Sequence, residues 1–306
     1  MLFVLSISQA MSHGFDELEF AVNSGTVKLA GTLTIPAHAH MPMPVMIIVA
    51  GSGPTDRNCN GPSFSTDAYK KMAHQLAMQG IASYRYDKRG IGASEPKNLK
   101  EEEMRFDDLV HDLKNIIATF EKDDRFTSVV VCGHSEGSLV AMLAVEAKQK
   151  YISIAGASQP ADVILKDQLK GQLGELEAST FKKLDSLKVG KHITCDNPML
   201  LSLLRPSVQP YMISWFRHDP TAIIKNVSSP TLIINGTKDL QVPIAHGERL
   251  SKATKNARYV AVPNMTHTLT EVASDELQDN YASYTNPNLP LSATMMNAIV
   301  SFVRTP

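Results

Sequence analysis

A serine, an aspartate and a histidine in this sequence could together carry out nucleophilic catalysis. Ser135 lies in the segment 133–137, which reads Gly-His-Ser-Glu-Gly, and Asp239 and His267 follow it along the chain. A serine hydroxyl is unreactive at its own pKa and needs a neighbouring base, for which His267 is the candidate. The carboxylate of Asp239 would fix the tautomer of this histidine and stabilise its imidazolium. The three residues predict acyl transfer through a Ser-His-Asp triad.

The two glycines around Ser135 fit a sharp corner between a strand and a helix. The β-branched run at 129–131 predicts the strand, and the residues from 138 to 144 are compatible with a helix. A serine on so tight a corner leaves no room for side chains two residues to either side, where Gly133 and Gly137 stand. The helix N-terminus would face an oxyanion formed at Ser135. The alternative is a glycine-rich connection with a surface serine.

Asp239 and His267 each follow a predicted strand, at 231–234 and 258–262. The carboxyl ends of parallel strands meet at one edge of a sheet, so both side chains are expected on the same rim as Ser135. Two other aspartates, Asp56 and Asp87, could compete with Asp239, but both precede the serine in the chain. The order serine, aspartate, histidine is the order used in the α/β-hydrolase fold.

The elements that must position these residues alternate between strand and helix, which predicts an α/β protein with a mostly parallel central sheet and helices on both faces. Strands are predicted at 17–22, 27–35, 45–49, 81–86, 128–132 and 151–155, and helices at 66–79 and 102–121. From 159 to 227 the pattern is helical without strands, which predicts a cap inserted over the crevice. The predicted organisation is an N-terminal extension or remnant signal at 1–16, an α/β core at 17–157 and 228–306, and the helical cap at 158–227.

Composition excludes several classes of function. The chain has 306 residues, 43% of them hydrophobic, and a net charge of -1, as in an ordinary globular protein with a sizeable core. It has no basic stripe, so nucleic acid is not an expected partner. Its cysteines are widely spaced without a Cys-x-x-Cys motif, and no His-Glu-x-x-His or His-x-x-x-His pair is present. We therefore expect no disulfide framework, no metal and no cofactor.

The first ten residues leave the location of the protein open. An apolar run at 2–7 precedes Ser8-Gln9-Ala10, which has the small residues of a signal-peptidase site, but the run is short and no Lys or Arg stands before it. The alternatives are a truncated secretion signal, for a periplasmic or secreted protein, and a poorly ordered extension of a cytoplasmic one. No other stretch is long and apolar enough to span a membrane.

The chain resembles bacterial carboxylesterases of the EstD type, which have the α/β-hydrolase fold. The resemblance rests on the loop at 51–58, the corner at 133–137 and a cap segment at 209–216, and it covers nearly all of the chain. The family loop often reads on as Arg-Asp-Gly-Asn, whereas this chain has Arg-Asn-Cys-Asn at 57–60. The resemblance implies a capped hydrolase whose oxyanion hole consists of the backbone N–H groups of Ser52 and Glu136.

Glu136 places a carboxylate directly after Ser135 in the chain. A carboxylate next to a developing oxyanion would be repulsive unless it is neutralised. The loops that carry Arg57 and Arg89 are expected to converge at this rim, so we predict that at least one of these arginines pairs with Glu136 and shapes the site. The alternative is that the Glu136 side chain points into solvent.

The predicted function is that of a serine hydrolase cleaving small carboxylic esters or thioesters through an acyl-enzyme intermediate. Related capped hydrolases cleave amides, so an aminopeptidase or amidase of the same fold is an alternative. A non-catalytic hydrolase-fold module that binds a ligand or partner under its cap is another. The expected partner is a small-molecule ester, and the sequence leaves open the acyl chain length, the leaving group and whether the protein forms a homo-oligomer.

Overall fold

The structure is a computed structural model that describes residues 14–37, 41–94, 99–274 and 276–305. Residues 1–13 of the predicted N-terminal extension lie outside the described residues, so the alternatives for that segment stay predictions. In the part of the chain that is described, no helix combines the length and the apolar character needed to cross a membrane.

The strands form one large sheet and one small hairpin. They are β1 (Phe15–Ser24), β2 (Val27–Pro36), β3 (Met43–Val49), β4 (Asn60–Gly61), β5 (Phe64–Ser65), β6 (Ala82–Tyr86), β7 (Phe126–His134), β8 (Lys150–Ile154), β9 (Thr231–Gly236) and β10 (Ala257–Val262). The large sheet has eight strands in the order β1-β2-β6-β3-β7-β8-β9-β10, and β4 pairs with β5. Strand β2 pairs antiparallel with β1 and β6, whereas all pairs from β6 to β10 are parallel. The predicted mostly parallel central sheet is confirmed.

Helices connect the strands and cover the sheet. They are α1 (Ala68–Ala77), α2 (Phe106–Glu121), α3 (Glu136–Ala144), α4 (Ala161–Leu169), α5 (Glu177–Lys188), α6 (Leu201–Leu204), α7 (Gln209–Trp215), α8 (Pro220–Ile224), α9 (Ala245–Ala253), α10 (Leu277–Ala282) and α11 (Ala293–Arg304). Short 3-10 turns occur at Gly92–Ser94, Glu101–Glu103, Gly174–Leu176, Pro198–Leu200 and Pro206–Val208. The helix predicted from 102 is thus a 3-10 turn followed by α2.

The central strand β3 is buried on both faces, as its continuous apolar run predicts. Val45, Ile47 and Val49 pack into one core with α2 and α3, whereas Met46 and Ile48 pack into a second core with α1 and α11. Successive side chains of a strand point to opposite faces of the sheet. An uninterrupted apolar run therefore requires helices that cover both faces. The two cores hold the strand ends in fixed positions at the edge that carries Ser135.

The segment between β8 and β9 contains five helices, α4 to α8, and no strand. It has an apolar core of its own, formed by Ala161, Leu184, Leu187, Cys195, Leu200, Leu204, Met212, Ile213 and Phe216. Side chains from α4, α7 and α8 line the same pocket as Ser135. This arrangement fits a cap, although the division of the chain into core and cap domains stays a prediction.

Backbone packs directly on backbone where β7 turns into α3. A Cβ atom at Gly133 would lie 2.1 Å from the carbonyl oxygen of Gly137, and one at Gly137 would lie 2.3 Å from that of Val49. Both distances are far inside van der Waals contact, so only glycine fits, as the spacing predicts. Ser135 between them has φ +55° and ψ -120°, a conformation that residues with a side chain rarely adopt.

Replacing Gly137 with alanine tests this packing. The new methyl group would collide with backbone atoms that cannot rotate away, so Gly137→Ala should lower the free energy of unfolding by at least about 3 kcal/mol. Gly14→Ala is the control, because its Cβ would meet no atom within 4 Å, and it should change the value by less than about 0.5 kcal/mol. Urea denaturation measures both, and equal midpoints for the two variants would contradict the packing argument.

Candidate active site

Ser135 lies at the carboxyl end of β7, immediately before the first residue of α3. Its N–H donates a hydrogen bond of 2.9 Å to the carbonyl oxygen of Ile154 in β8. Helix α3 begins at Glu136, so the N-terminal N–H groups and the positive end of the helix dipole lie next to the serine. The local field at Ser135 therefore favours negative charge.

Asp239 and His267 are in direct contact. The Nδ1 atom of His267 lies 2.8 Å from Oδ2 of Asp239, and the two side chains are 8% and 1% exposed. The other oxygen, Oδ1, accepts hydrogen bonds of 2.9 Å from the N–H groups of Gln241 and Val242. Because the carboxylate acts as an acceptor on both oxygens, Nδ1 of His267 carries the proton, and Nε2 of the neutral ring is left as a base.

The competing aspartates are engaged elsewhere. Asp56 accepts hydrogen bonds of 2.8 Å from the N–H groups of Asn58 and Asn60 in its own loop. Asp87 binds the guanidinium of Arg57. These contacts give both carboxylates roles in loop structure, and neither is among the hydrogen-bond partners found for His267 in the described residues.

A buried chain of hydrogen bonds connects the loop after β3 with His267. The Tyr69 hydroxyl accepts from the Gly51 N–H at 3.1 Å and lies 2.8 Å from Nδ1 of His134. Nε2 of His134 lies 3.0 Å from the carbonyl oxygen of His267. A carbonyl oxygen can only accept, so Nε2 carries the proton of His134, and Nδ1 accepts from Tyr69. This relay joins the three loops that hold Gly51, Ser135 and His267.

Both side chains in the middle of this relay are held neutral. Burial, with a smaller effect of the nearby His267 ring, lowers the pKa of His134 well below its usual value. Burial likewise raises the pKa of Tyr69 well above its usual range. The ring centroids of His134 and His267 are 4.7 Å apart, so a neutral His134 adds no positive charge beside the candidate base. His134 thus connects Tyr69 to the loop of His267 through both of its ring nitrogens.

A pocket opens above Ser135. It has about 550 Å³ of empty space, part of it open to solvent, and is lined by Ser52, Ser135, Glu136, Leu139, Ala157, Gln159, Ala161, Ile164, Leu165, Gln168, Trp215, Pro220, Gln241 and Val242. Most of these side chains are apolar, and three glutamine amides supply hydrogen-bonding groups. Glu136 is the one ionisable side chain in this lining, as far as the described residues go.

The side chain of Glu136 is buried and pairs with a lysine. Its Oε1 atom lies 3.5 Å from Nζ of Lys88, and the two side chains are 3% and 7% exposed. The predicted pairing of Glu136 with Arg57 or Arg89 is therefore wrong, and so is the alternative that Glu136 points into solvent. The expectation that this charge is neutralised is correct, although its partner differs.

The two arginines brace loops instead. Nη2 of Arg57 lies 2.9 Å from Oδ2 of Asp87, and Nη1 lies 3.0 Å from Oε2 of Glu19. Arg57 therefore connects the loop after β3 to β1 and to the loop after β6. Nη2 of Arg89 lies 2.6 Å from Oδ1 of Asp112 in α2. Each guanidinium is satisfied by a carboxylate other than that of Glu136, which explains why neither reaches it.

Ser52 and Glu136 lie together in the pocket wall beside Ser135. The loop that carries Ser52 comes close to the serine, since a Cβ atom on Gly51 would be 3.2 Å from the Cβ atom of Ser135. This proximity fits the predicted oxyanion hole, and the assignment of the two N–H groups to that role stays a prediction.

The cysteines do not compete with Ser135 as nucleophiles. All three are free and buried. Burial raises the pKa of Cys59 to about 11 and that of Cys132 to about 12, so these two thiols stay protonated near neutral pH. In the same described ranges, no group of three or more His, Cys, Asp or Glu side chains is arranged to hold a metal ion.

Comparison with known proteins identifies the family. The model of the family Hydrolase_4, described as "Serine aminopeptidase, S33", matches residues 59–221, a little more than half of the chain. The chain belongs to this family. Esterase EstD of Thermotoga maritima is 30% identical over an alignment of 237 residues, and the match covers 74% of this chain and 53% of EstD. The chain thus spans about half the length of this curated relative, and the predicted resemblance to EstD-type hydrolases is confirmed.

Solved structures confirm the α/β-hydrolase fold. Est1E from Butyrivibrio proteoclasticus with bound ferulic acid has a TM-score of 0.60 at 20% identity, over 87% of this chain and 96% of that one. Proline iminopeptidase from Mycobacterium smegmatis also has a TM-score of 0.60, at 13% identity, over 94% of this chain and 97% of that one. An esterase and a peptidase are similar to the same degree, so these structures establish the fold and leave the substrate open.

The buried neutral His134 makes stability depend on pH. In the unfolded chain this histidine takes up a proton as the pH falls below about 6.5, whereas in the folded chain it does not, so acid favours unfolding. Between pH 7.5 and 5.5 the free energy of unfolding should fall by about 1.4 kcal/mol more in the wild type than in His134→Gln. Urea denaturation at several pH values measures this difference, and parallel pH profiles would show that His134 titrates alike in both states.

Proposed function

We propose that this protein is a serine hydrolase that cleaves small carboxylic esters or thioesters through an acyl-enzyme intermediate. Ser135 is the nucleophile, His267 the general base and Asp239 the carboxylate that orients the base. The observation that carries the proposal is the buried 2.8 Å contact between Asp239 and Nδ1 of His267. It leaves Nε2 of the neutral ring as a proton acceptor, and the hydrogen bond between His134, the residue before Ser135, and the carbonyl oxygen of His267 ties the loop of the proposed base to this corner.

The reaction proceeds in two halves. Nε2 of His267 takes the hydroxyl proton of Ser135 while Oγ attacks the acyl carbon, and the N–H groups of Ser52 and Glu136 bind the oxyanion. The bond to the leaving alcohol or thiol breaks, and His267 returns the proton to it. A water molecule then attacks the acyl-enzyme with His267 as base again, which releases the carboxylic acid and restores Ser135.

The pocket favours an ester over a substrate with a free amino terminus. An aminopeptidase must bind the ammonium group of its substrate, and the opposite charge of a carboxylate is suited to this. The carboxylate in the pocket lining is Glu136, which already forms an ion pair with Lys88. The other lining side chains are apolar, amide or hydroxyl and carry no charge, which suits an uncharged acyl group. The similarity to Esterase EstD supports the same choice.

Two sets of substrates test this choice, an ester series and a pair of anilides that differ only in the charge of the amino group. We expect hydrolysis of p-nitrophenyl esters in a series from acetate to palmitate. We also expect no preference for leucine p-nitroanilide over its N-acetylated form, because the Glu136 carboxylate is occupied. A kcat/KM at least about ten-fold higher for the free amine would instead support the aminopeptidase alternative, to which the description of the family points.

The role of Asp239 is tested by replacing it with asparagine. The amide preserves the shape of the side chain but no longer enforces the productive tautomer of His267, so Asp239→Asn should lower kcat about 10⁴-fold. The exposed Asp185, which pairs with Lys166 on the surface, offers a matched control, and Asp185→Asn should leave kcat unchanged. Near-wild-type turnover by Asp239→Asn would mean that another carboxylate orients the base.

A further inference from the structure

We propose that Lys88 is a positioning residue for the oxyanion hole, an inference that rests on the proposed function. Lys88 lies two residues after the end of β6 and is 5% exposed. Its Nζ atom donates a hydrogen bond to the carbonyl oxygen of Gly51 and lies 3.5 Å from Oε1 of Glu136. The ammonium therefore contacts both Gly51, which directly precedes the proposed donor Ser52, and Glu136, whose own N–H is the other proposed donor.

The contact with Gly51 acts directly on the N–H group of Ser52. The carbonyl of Gly51 and the N–H of Ser52 belong to one peptide unit, which is planar. A hydrogen bond that fixes the direction of the carbonyl therefore also fixes the direction of the N–H. A positive charge on the carbonyl oxygen also polarises the peptide unit and makes its N–H a stronger donor. Lys88 thus aims and strengthens one of the two oxyanion donors.

The preceding peptide unit is held as well. The N–H of Gly51 donates to the Tyr69 hydroxyl at 3.1 Å, in the relay that continues to His134. Gly51 is thus fixed at its N–H by a neutral hydroxyl and at its carbonyl by a buried cation. Since both partners are buried, the loop after β3 has little freedom to turn Ser52 away from Ser135.

The contact with Glu136 offsets the negative charge that lies beside the second proposed donor, the N–H of Glu136. The carboxylate lies in a low-dielectric environment, where burial and the neighbouring Glu136 raise the pKa of Tyr211 well above its usual range. An uncompensated negative charge here would oppose the developing oxyanion. Lys88 compensates it and draws the side chain of Glu136 toward the Gly51 carbonyl. One ammonium group thus connects both sides of the oxyanion hole.

The variant Lys88→Met tests the proposal, because methionine fills similar space without the ammonium group. With p-nitrophenyl acetate, and with kcat expressed per titratable Ser135, we expect kcat to fall about ten-fold or more. KM should change less than two-fold. The affinity for phenylboronic acid, whose serine adduct is a tetrahedral anion, should fall by about the same factor as kcat. Unchanged kcat and boronate affinity would overturn the proposal.

Lys150→Met is the matched control. Lys150 also donates to backbone carbonyls, those of Phe302 and Val303, but at the end of α11 and away from the pocket. This variant should keep wild-type kcat and boronate affinity. A merely structural role of Lys88 would lower the melting temperature and the number of titratable sites while leaving kcat per site intact, which would also overturn the proposal.

A double variant separates the two contacts of Lys88. If the lysine acted only by neutralising Glu136, then Lys88→Met combined with Glu136→Gln would turn over as fast as Glu136→Gln alone. We expect the double variant to stay at least about five-fold slower, because the Gly51–Ser52 peptide still lacks its cation. Equal rates would overturn the role assigned to the Gly51 contact. A wild-type protein without any ester turnover would overturn the proposed function and this inference with it.

Discussion

The site depends on one steric constraint, the contact of α3 with the end of β3 through glycine. Because Gly137 has no side chain, its Cα packs against the carbonyl groups of Val49 and Ala50, and the first turn of α3 reaches the strand. The same contact keeps the loop after β3 close to Ser135, since a Cβ atom on Gly51 would lie 3.2 Å from the Cβ atom of the serine. A larger residue at Gly137 would separate Ser135 from that loop, and therefore from one of the two proposed oxyanion donors.

Around this corner, polar contacts place positive potential where a reaction would develop negative charge. The relay through Tyr69 and His134 is neutral, so it positions three loops without adding charge beside His267. The ammonium of Lys88 offsets the carboxylate of Glu136, and the N-terminus of α3 contributes its dipole. The proposed chemistry and the stability of the loops thus depend on the same buried hydrogen bonds.

The sequence predicts the sheet and the Asp239–His267 contact because both follow from patterns among residues that are neighbours in the chain. Apolar runs mark the strands, and a polar residue just past a strand end must lie at the rim. Contacts between long side chains follow no such rule. Beyond the end of β6 the alternation of side chains no longer fixes their direction, so the sequence did not show that Lys88 rather than Arg89 faces Glu136. Nor could it reveal the relay, since Tyr69 fits equally well as an apolar helix residue.

Covalent labelling tests most directly the proposal that this corner presents Ser135 as an activated nucleophile. The folded protein is treated with a fluorophosphonate, and the labelled peptide is mapped by mass spectrometry. We expect one phosphonate per chain on Ser135, no labelling of Ser135→Ala, and normal labelling of a variant at the partly exposed Ser251. Urea should abolish labelling, because the unfolded chain lacks the corner and no longer holds the proposed base in place. An unlabelled folded protein, or a label on any other residue, would contradict the proposal.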